Sequence, residues 1–154
     1  MLKLSKKGVS MIYKVTNADG AELGVLKGCG KGQTGEIDIA GLSFVFTPVS
    51  EPWTFKMTQN GAPTGTAERT KAKQHFVINY GGTEVELDCP FIGNKPYKAT
   101  IGGQVVGSIS LSKFTGRVVT VDLPDALPLE ARLFAGWLTL RTWNAGAEVR
   151  AVPV

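Results

Sequence analysis

Arg69, Lys71, Lys73 and His75 stand two residues apart in the run ERTKAKQH, residues 68–75. Read as a β-strand, that spacing puts all four side chains on one face, because successive strand residues point to opposite sides. Phe76, Ile78 and Tyr80 then continue the opposite, buried face. A row of cationic and titratable groups is suited to holding lipid phosphates, since each Lys or Arg near an anionic leaflet is worth about 1 kcal/mol. Without a ligand, the same row is a solvated outer face whose charges keep an edge strand soluble. Both readings stand on the sequence.

Other chemistry is sparse. GCGKGQTGE, residues 28–36, contains the letters of a dinucleotide fingerprint, but such a fingerprint must leave a strand and enter a helix. Here EIDIAG follows, which alternates like a strand, and no Gly-Lys-Ser/Thr makes it a phosphate loop. We therefore read a flexible loop between hairpins, with Lys31 exposed on it. Glu84 and Glu86 share a strand face and could serve as acid and base, although surface ion pairs are the plainer use. His75 is the single histidine, and no partner for it is evident, so no nucleophilic triad can be assembled. Cys29 and Cys89 form no C-x-x-C pair and read as reduced thiols, not as metal ligands. The expectation is a non-enzyme with no catalytic residues, no metal and no cofactor. Few aromatics interleave with the basic residues, which argues against a nucleic-acid partner.

The elements that would position these residues come from a repeat. YKVTNADGAELG, FKMTQNGAPTG and YKATIGGQVVG begin at residues 13, 55 and 97, a period of 42 both times. In each, an apolar residue alternates with Lys or Thr, and a turn follows. Asn60-Gly61 and Gly102-Gly103 are two-residue hairpin signals, and Asp19-Gly20 sits in a slightly longer turn. Gly24, Gly65 and Gly107 follow at matching places, where a strand glycine marks a bulge or bend. Lys14, Lys56 and Lys98 recur with the period and so belong to outward faces spread round the molecule. Between the copies, EIDIAGLSFVFT turns at Ala40-Gly41 and HFVINYGGTEVELD at Gly81-Gly82. Each unit thus holds about four strands, and repeats of this size signal closed or radial β architectures.

The third unit breaks the pattern. After GRVVTVD it reads LPDALPLEARLFAGWLTLRTWNAG. Asp125 can cap, Pro128 suits a first turn and Gly146 lies past the end, so a helix is predicted over about 128–143. Its centre, Leu133–Leu138, is apolar on every side and must be buried on every side. Arg132 and Arg141 bracket it. The resulting fold class is mainly β: a closed antiparallel barrel of about 12 strands from three units, enclosing the C-terminal helix. A β-trefoil, also built from three such units, is the competing reading, but it has no use for an all-round apolar helix.

At 154 residues, 43% hydrophobic and 19% charged, the chain is one globular domain over 1–154. The net charge of +4 permits phosphate-bearing partners without requiring them. The basic N-terminus lacks an apolar run, and no stretch is long enough to span a bilayer, so a cytoplasmic protein, with peripheral membrane contact as its furthest reach, is expected.

The C-terminal third, VGSISLSKFTGRVVTVDLPDALPLEARLFAGWL at 106–138, resembles the tubby-like superfamily, in particular the end of the phospholipid scramblase domain and the small LURP-one-related barrel proteins. The shared features are Gly107-x-Ile109-Ser110, Thr115-Gly116, the Leu123-Pro124-x-x-Leu127-x-Leu129 run, Glu130 and Arg132 spaced by one, and a helix with internal Gly136. The resemblance implies a twelve-stranded barrel round a hydrophobic helix, no established catalysis, and association with anionic phospholipids. A proline-rich tail, a cysteine-rich segment and an acidic insertion between SKFTG and VDLP are missing, which argues against calcium-triggered lipid scrambling. The alternatives are a protein-interaction or structural module whose partners bind the hairpin turns, and a pocket for a small apolar ligand or acyl chain at the end of the barrel.

Overall fold

A computed structural model describes residues 1–8, 11–30, 32–50, 53–70, 74–89, 96–112 and 118–151. The strands are β1 (Leu2–Lys6), β2 (Tyr13–Thr16), β3 (Glu22–Leu26), β4 (Gly35–Ile39), β5 (Leu42–Ser50), β6 (Thr54–Gln59), β7 (Ala62–Arg69), β8 (Gln74–Tyr80), β9 (Thr83–Cys89), β10 (Tyr97–Ile101), β11 (Gln104–Leu111) and β12 (Val118–Asp122), followed by helix α1 (Leu129–Ala151). All strand pairs are antiparallel, in the order β3-β2-β1-β12-β11-β10-β9-β8-β7-β6-β5-β4. The sheet closes almost completely, because Lys27 and Glu36 exchange two backbone hydrogen bonds of 3.0 Å between its end strands.

The repeat is a structural one. Tyr13, Phe55 and Tyr97 all point inward and are buried, as are Val15, Met57 and Ala99 two residues on. Lys14, Lys56 and Lys98 are exposed on β2, β6 and β10, every fourth strand round the wall. The expected two-residue turns form with positive φ at both central residues: 52° and 81° at Ala40-Gly41, 51° and 85° at Asn60-Gly61, 55° and 83° at Gly81-Gly82, 59° and 82° at Gly102-Gly103. These mirror-image turns match the right-handed strand twist. In each copy the second strand slips by one residue: the register passes over Leu23, Thr64 and Val106, just before Gly24, Gly65 and Gly107. The glycines admit the next strand. A Cβ at Gly24 would lie 2.9 Å from the Asp38 carbonyl oxygen, one at Gly65 3.2 Å from that of Asn79, and one at Gly107 would overlap that of Asp122.

The third unit, β10–β12, lacks a fourth strand of its own. β1 takes that place, pairing with β12 on one side and β2 on the other. The chain after β12 is therefore free to turn inward as α1. Leu133, Phe134, Ala135, Trp137 and Leu138 are at most 1% exposed. Strands meet the helix from several directions: the Phe134 and Trp137 rings stack or tilt against Phe46, Trp137 meets Phe55 edge-on, Trp143 meets Tyr97, and Gly136 sits against Leu4 and Val121. Each large side chain so enclosed contributes roughly 1.5–3 kcal/mol. This filled lumen overturns the trefoil alternative.

The expected helix end needs correction. It does not stop at Trp143 before Gly146 but runs to Ala151. A helical glycine costs about 1 kcal/mol relative to alanine, and the Ala-Glu-Val-Arg-Ala that follows favours continuation over capping. Arg141, which brackets the apolar centre in the sequence, is itself part of the core. It is buried, its guanidinium sandwiched 4.9 Å from the Phe55 ring centre and 4.8 Å from that of Trp137. Two aromatic faces in a dry setting offset part of the cost of taking the cation out of water.

Candidate functional site

Because consecutive strands are neighbours, their connections alternate between the two ends of the barrel. At one end lie the short turns (17–21, 40–41, 60–61, 81–82, 102–103) and the 123–128 segment leading into α1. At the other lie the strand ends that flank the connections 7–12, 27–34, 51–53, 70–73, 90–96 and 112–117. We call these the turn end and the loop end. The helix enters at the turn end, where the Tyr80 hydroxyl donates to Glu130 Oε1. Burial, reinforced by that bond and by the Glu130 charge, pushes the Tyr80 phenol up to about 12. Arg132 completes the entry, its Nε donating to the Leu127 carbonyl at 3.1 Å and its Nη1 lying 3.5 Å from Asp125 Oδ1.

The proposed phosphate-binding row does not lie on one strand. β7 ends at Arg69 and β8 begins at Gln74, with Arg69 opposite Phe76. The Thr70 N–H donates to the His75 carbonyl at 3.0 Å across the reversal. Arg69 shares the inward face with Ala67 and Phe76, its guanidinium 6.0 Å from the Phe76 ring centre. His75, one residue from Phe76, faces outward, with Nδ1 3.3 Å from the Thr70 hydroxyl and Asp88 across the pair. Arg69 and His75 thus flank one connection at the loop end but occupy opposite faces of the wall. Lys71 and Lys73 lie outside the described residues. The misreading has a local cause: RTKAKQ carries no Gly, Pro, Asn or Asp to announce a turn.

The glycine-rich segment also differs from the flexible loop expected of it. β4 follows it, so it opens no helix. Gly28 and Cys29 are tied to α1: the Trp137 indole N–H donates to the Gly28 carbonyl at 2.9 Å and Asn144 Nδ2 to that of Cys29 at 3.1 Å. Gln33 Oε1 accepts from the Gly30 N–H at 2.9 Å. Cys29 is fully buried and free, and burial pushes its thiol up to about 12 against the opposing pull of Arg141. Such a thiol is a packing group, not a nucleophile. Lys31 lies outside the described residues, as does the side chain of Cys89.

Glu84 and Glu86 face outward on β9, as expected, but the ion pairs found among the described residues all involve Asp125, not these two. Among the described residues no group of three or more His, Cys, Asp or Glu side chains is placed to hold a metal ion, and no helix is long and apolar enough to cross a membrane.

Charge is distributed between the two ends in a way the sequence reading missed. The turn end carries Asp19, Glu22, Asp38, Glu84, Asp122, Asp125 and Glu130 against the cations Lys3, Arg132 and the Met1 ammonium, the last two paired with Asp125. The loop end carries Lys6, Lys7, Lys27 and Arg69, with Lys14 and Lys98 one residue in from it. Glu36, Glu68 and Asp88 stand at the same depth, one residue in from that end and facing outward, so among the described residues the loop end has a cationic surplus and not a purely basic rim. The signal was available, since tight turns recurring at every second connection divide the charged residues into two groups.

The fold defines a class: a nearly closed twelve-stranded antiparallel barrel threaded by its own apolar C-terminal helix. Comparison with protein-family models, with curated proteins and with solved structures returned no match.

Proposed function

We propose that this chain is a non-catalytic, tubby-like binding module of the cytoplasm that rests peripherally on anionic phospholipid surfaces with its loop end down. The observation that carries the reading is the separation of charge between the barrel ends. A bilayer with a negative surface potential attracts Lys6, Lys27 and Arg69 and repels the carboxylates of the turn end, which favours one orientation. The barrel built round an apolar helix supports the tubby-like resemblance by agreeing with the architecture that resemblance implies. Arg69 and His75 stay in the proposal as residues flanking the 70–73 connection, and Lys71 and Lys73 as the cations of that connection. They act as separate contacts, not as one strip.

Vesicle flotation tests this. The full chain is expected to float with vesicles containing phosphatidylserine or phosphoinositides at low salt, and to be released as salt rises. Lys27→Glu with Arg69→Glu removes two cations worth about 1 kcal/mol each, so binding should weaken by at least roughly tenfold. Failure to float at low salt, or flotation indifferent to the double reversal, would overturn the proposal.

A further inference from the structure

We infer that Trp53 is an interfacial anchor, seated in the headgroup layer of an anionic bilayer when the loop end meets it; this rests on the phospholipid-surface reading above. The three tryptophans divide sharply. Trp137 and Trp143 are core residues, whereas Trp53 is 42% exposed, with Val49, bulged near the end of β5, 59% exposed. An indole open to water loses the burial that makes a large aromatic favourable, and a membrane interface can restore it: the ring sits among the headgroups and its N–H stays hydrated.

Three observations say what covers this patch. Trp53 itself is held in place, since its N–H donates to the Ser50 carbonyl at 2.6 Å and β6 begins at the next residue. The same peptide is joined to the cationic rim, since the Trp53 carbonyl accepts the Arg69 N–H at 2.8 Å, so indole and guanidinium spring from bonded backbone. The surroundings select the partner. Apolar side chains are exposed at the turn end too, such as Val105, but that end is rich in carboxylates and faces away from an anionic surface. Glu68, opposite Thr54, is the nearest described carboxylate and faces the outer wall, while Arg69 is bonded to Trp53 itself; an apolar group beside that cation, on the end with the cationic surplus, complements a surface that is negative outside and apolar beneath.

The test follows tryptophan emission of the full chain on vesicles of phosphatidylcholine with and without phosphatidylserine, some carrying brominated acyl chains, with flotation measured in parallel. The buried Trp137 and Trp143 supply a constant background, and Trp53→Phe identifies the responding ring. We expect a blue shift and bromine quenching on anionic vesicles alone, both absent in Trp53→Phe. Trp53→Ser should weaken flotation about tenfold, in keeping with the loss of one large buried side chain, while its thermal unfolding stays near that of the parent. Flotation with an unmoved Trp53 signal and full binding by Trp53→Ser would overturn the anchor and leave the surface reading standing. Failure of the parent to float would overturn both. A Trp53 blue shift that tracks dimer formation in solution, without lipid, would assign the patch to a second copy of the chain and overturn the anchor.

Discussion

Single residues set this barrel's tolerances. Gly107 is the tightest of the three repeat glycines, because a Cβ there would overlap the Asp122 carbonyl, which is backbone and cannot swing aside. Gly107→Ala should therefore cost 1–3 kcal/mol or more, the usual range for overpacking, read as a lowered midpoint in urea. Gly65→Ala, with 3.2 Å to the Asn79 oxygen, should cost less. Cys29 gives a second prediction, one of pH. Its folded-state pKa is raised from 9.0 to about 12 by burial, so the folded protein keeps a proton that the unfolded chain gives up. Stability from this source is fully present below about pH 9 and declines as pH rises from there towards 12. Tyr80, raised from 10.0 to about 12, acts in the same direction from a higher starting pH. Urea melts taken from pH 8 upward should show a falling midpoint. In Cys29→Ala the onset of that fall should move to higher pH, whatever constant cost the smaller side chain adds.

At the scale of elements, the three repeats are equivalent except at one junction. β7 pairs with β8 from Gly65–Tyr80 to Arg69–Phe76, and β11 with β12 from Ser108–Asp122 to Leu111–Val119. The corresponding junction, β3 with β4, has the single bridge Lys27–Glu36. Extending that register makes Val25 and Asp38 the next bonded pair, yet they form no ladder bond there. Their amides should exchange with solvent at least roughly tenfold faster than those of the β7–β8 ladder, since exchange follows the local opening free energy. The helix holds this seam through Trp137 and Asn144, whose side chains bond the carbonyls of Gly28 and Cys29. Trp137→Phe keeps most of the ring bulk and removes one of those bonds, so exchange at Val25 and Asp38 should rise further. Equal protection at all three junctions would mean the seam is no weaker than its relatives. Much of this level was legible in the sequence, because its signals are local: Asn-Gly and Gly-Gly make turns wherever they occur, and Leu133–Leu138 has no polar side to expose. Long-range pairing was not. LKLSK shows no feature that assigns it to the third unit, and RTKAKQ reverses without turn residues. Arg141 only brackets the apolar centre in the sequence, and nothing local announces the Phe55 and Trp137 rings that enclose it. The candidate site suffered most, since a face assignment fails entirely when one undetected reversal intervenes.

For the whole molecule, both ends of the chain are structural. The helix enters with its positive dipole end near Asp125 and with Glu130 in its first turn, and leaves towards the loop end, so these acids also complement the helix dipole. That effect fades within a helical turn and amounts to half a charge at each end. It accounts for Glu130 in the first turn but not for Lys6 or Arg69 on the rim. Closure depends on β1, the sole element bonded to both β12 and β2. It brings Leu2 and Leu4 into the lumen, where Leu4 packs on Gly136 of the helix. Without β1 the sheet would expose two unpaired edges and open one side of an otherwise dry core, and exposed edges recruit other strands. A chain lacking residues 1–6 should therefore lose its cooperative thermal transition and aggregate, although it keeps the whole helix and eleven of the strands. Leu4→Ala separates packing from pairing: it leaves the β1 ladder intact and should cost 2–5 kcal/mol while unfolding stays cooperative. A cooperative, monomeric truncated chain would show that the barrel closes without its first strand, and β12 would then have to pair with β2 directly.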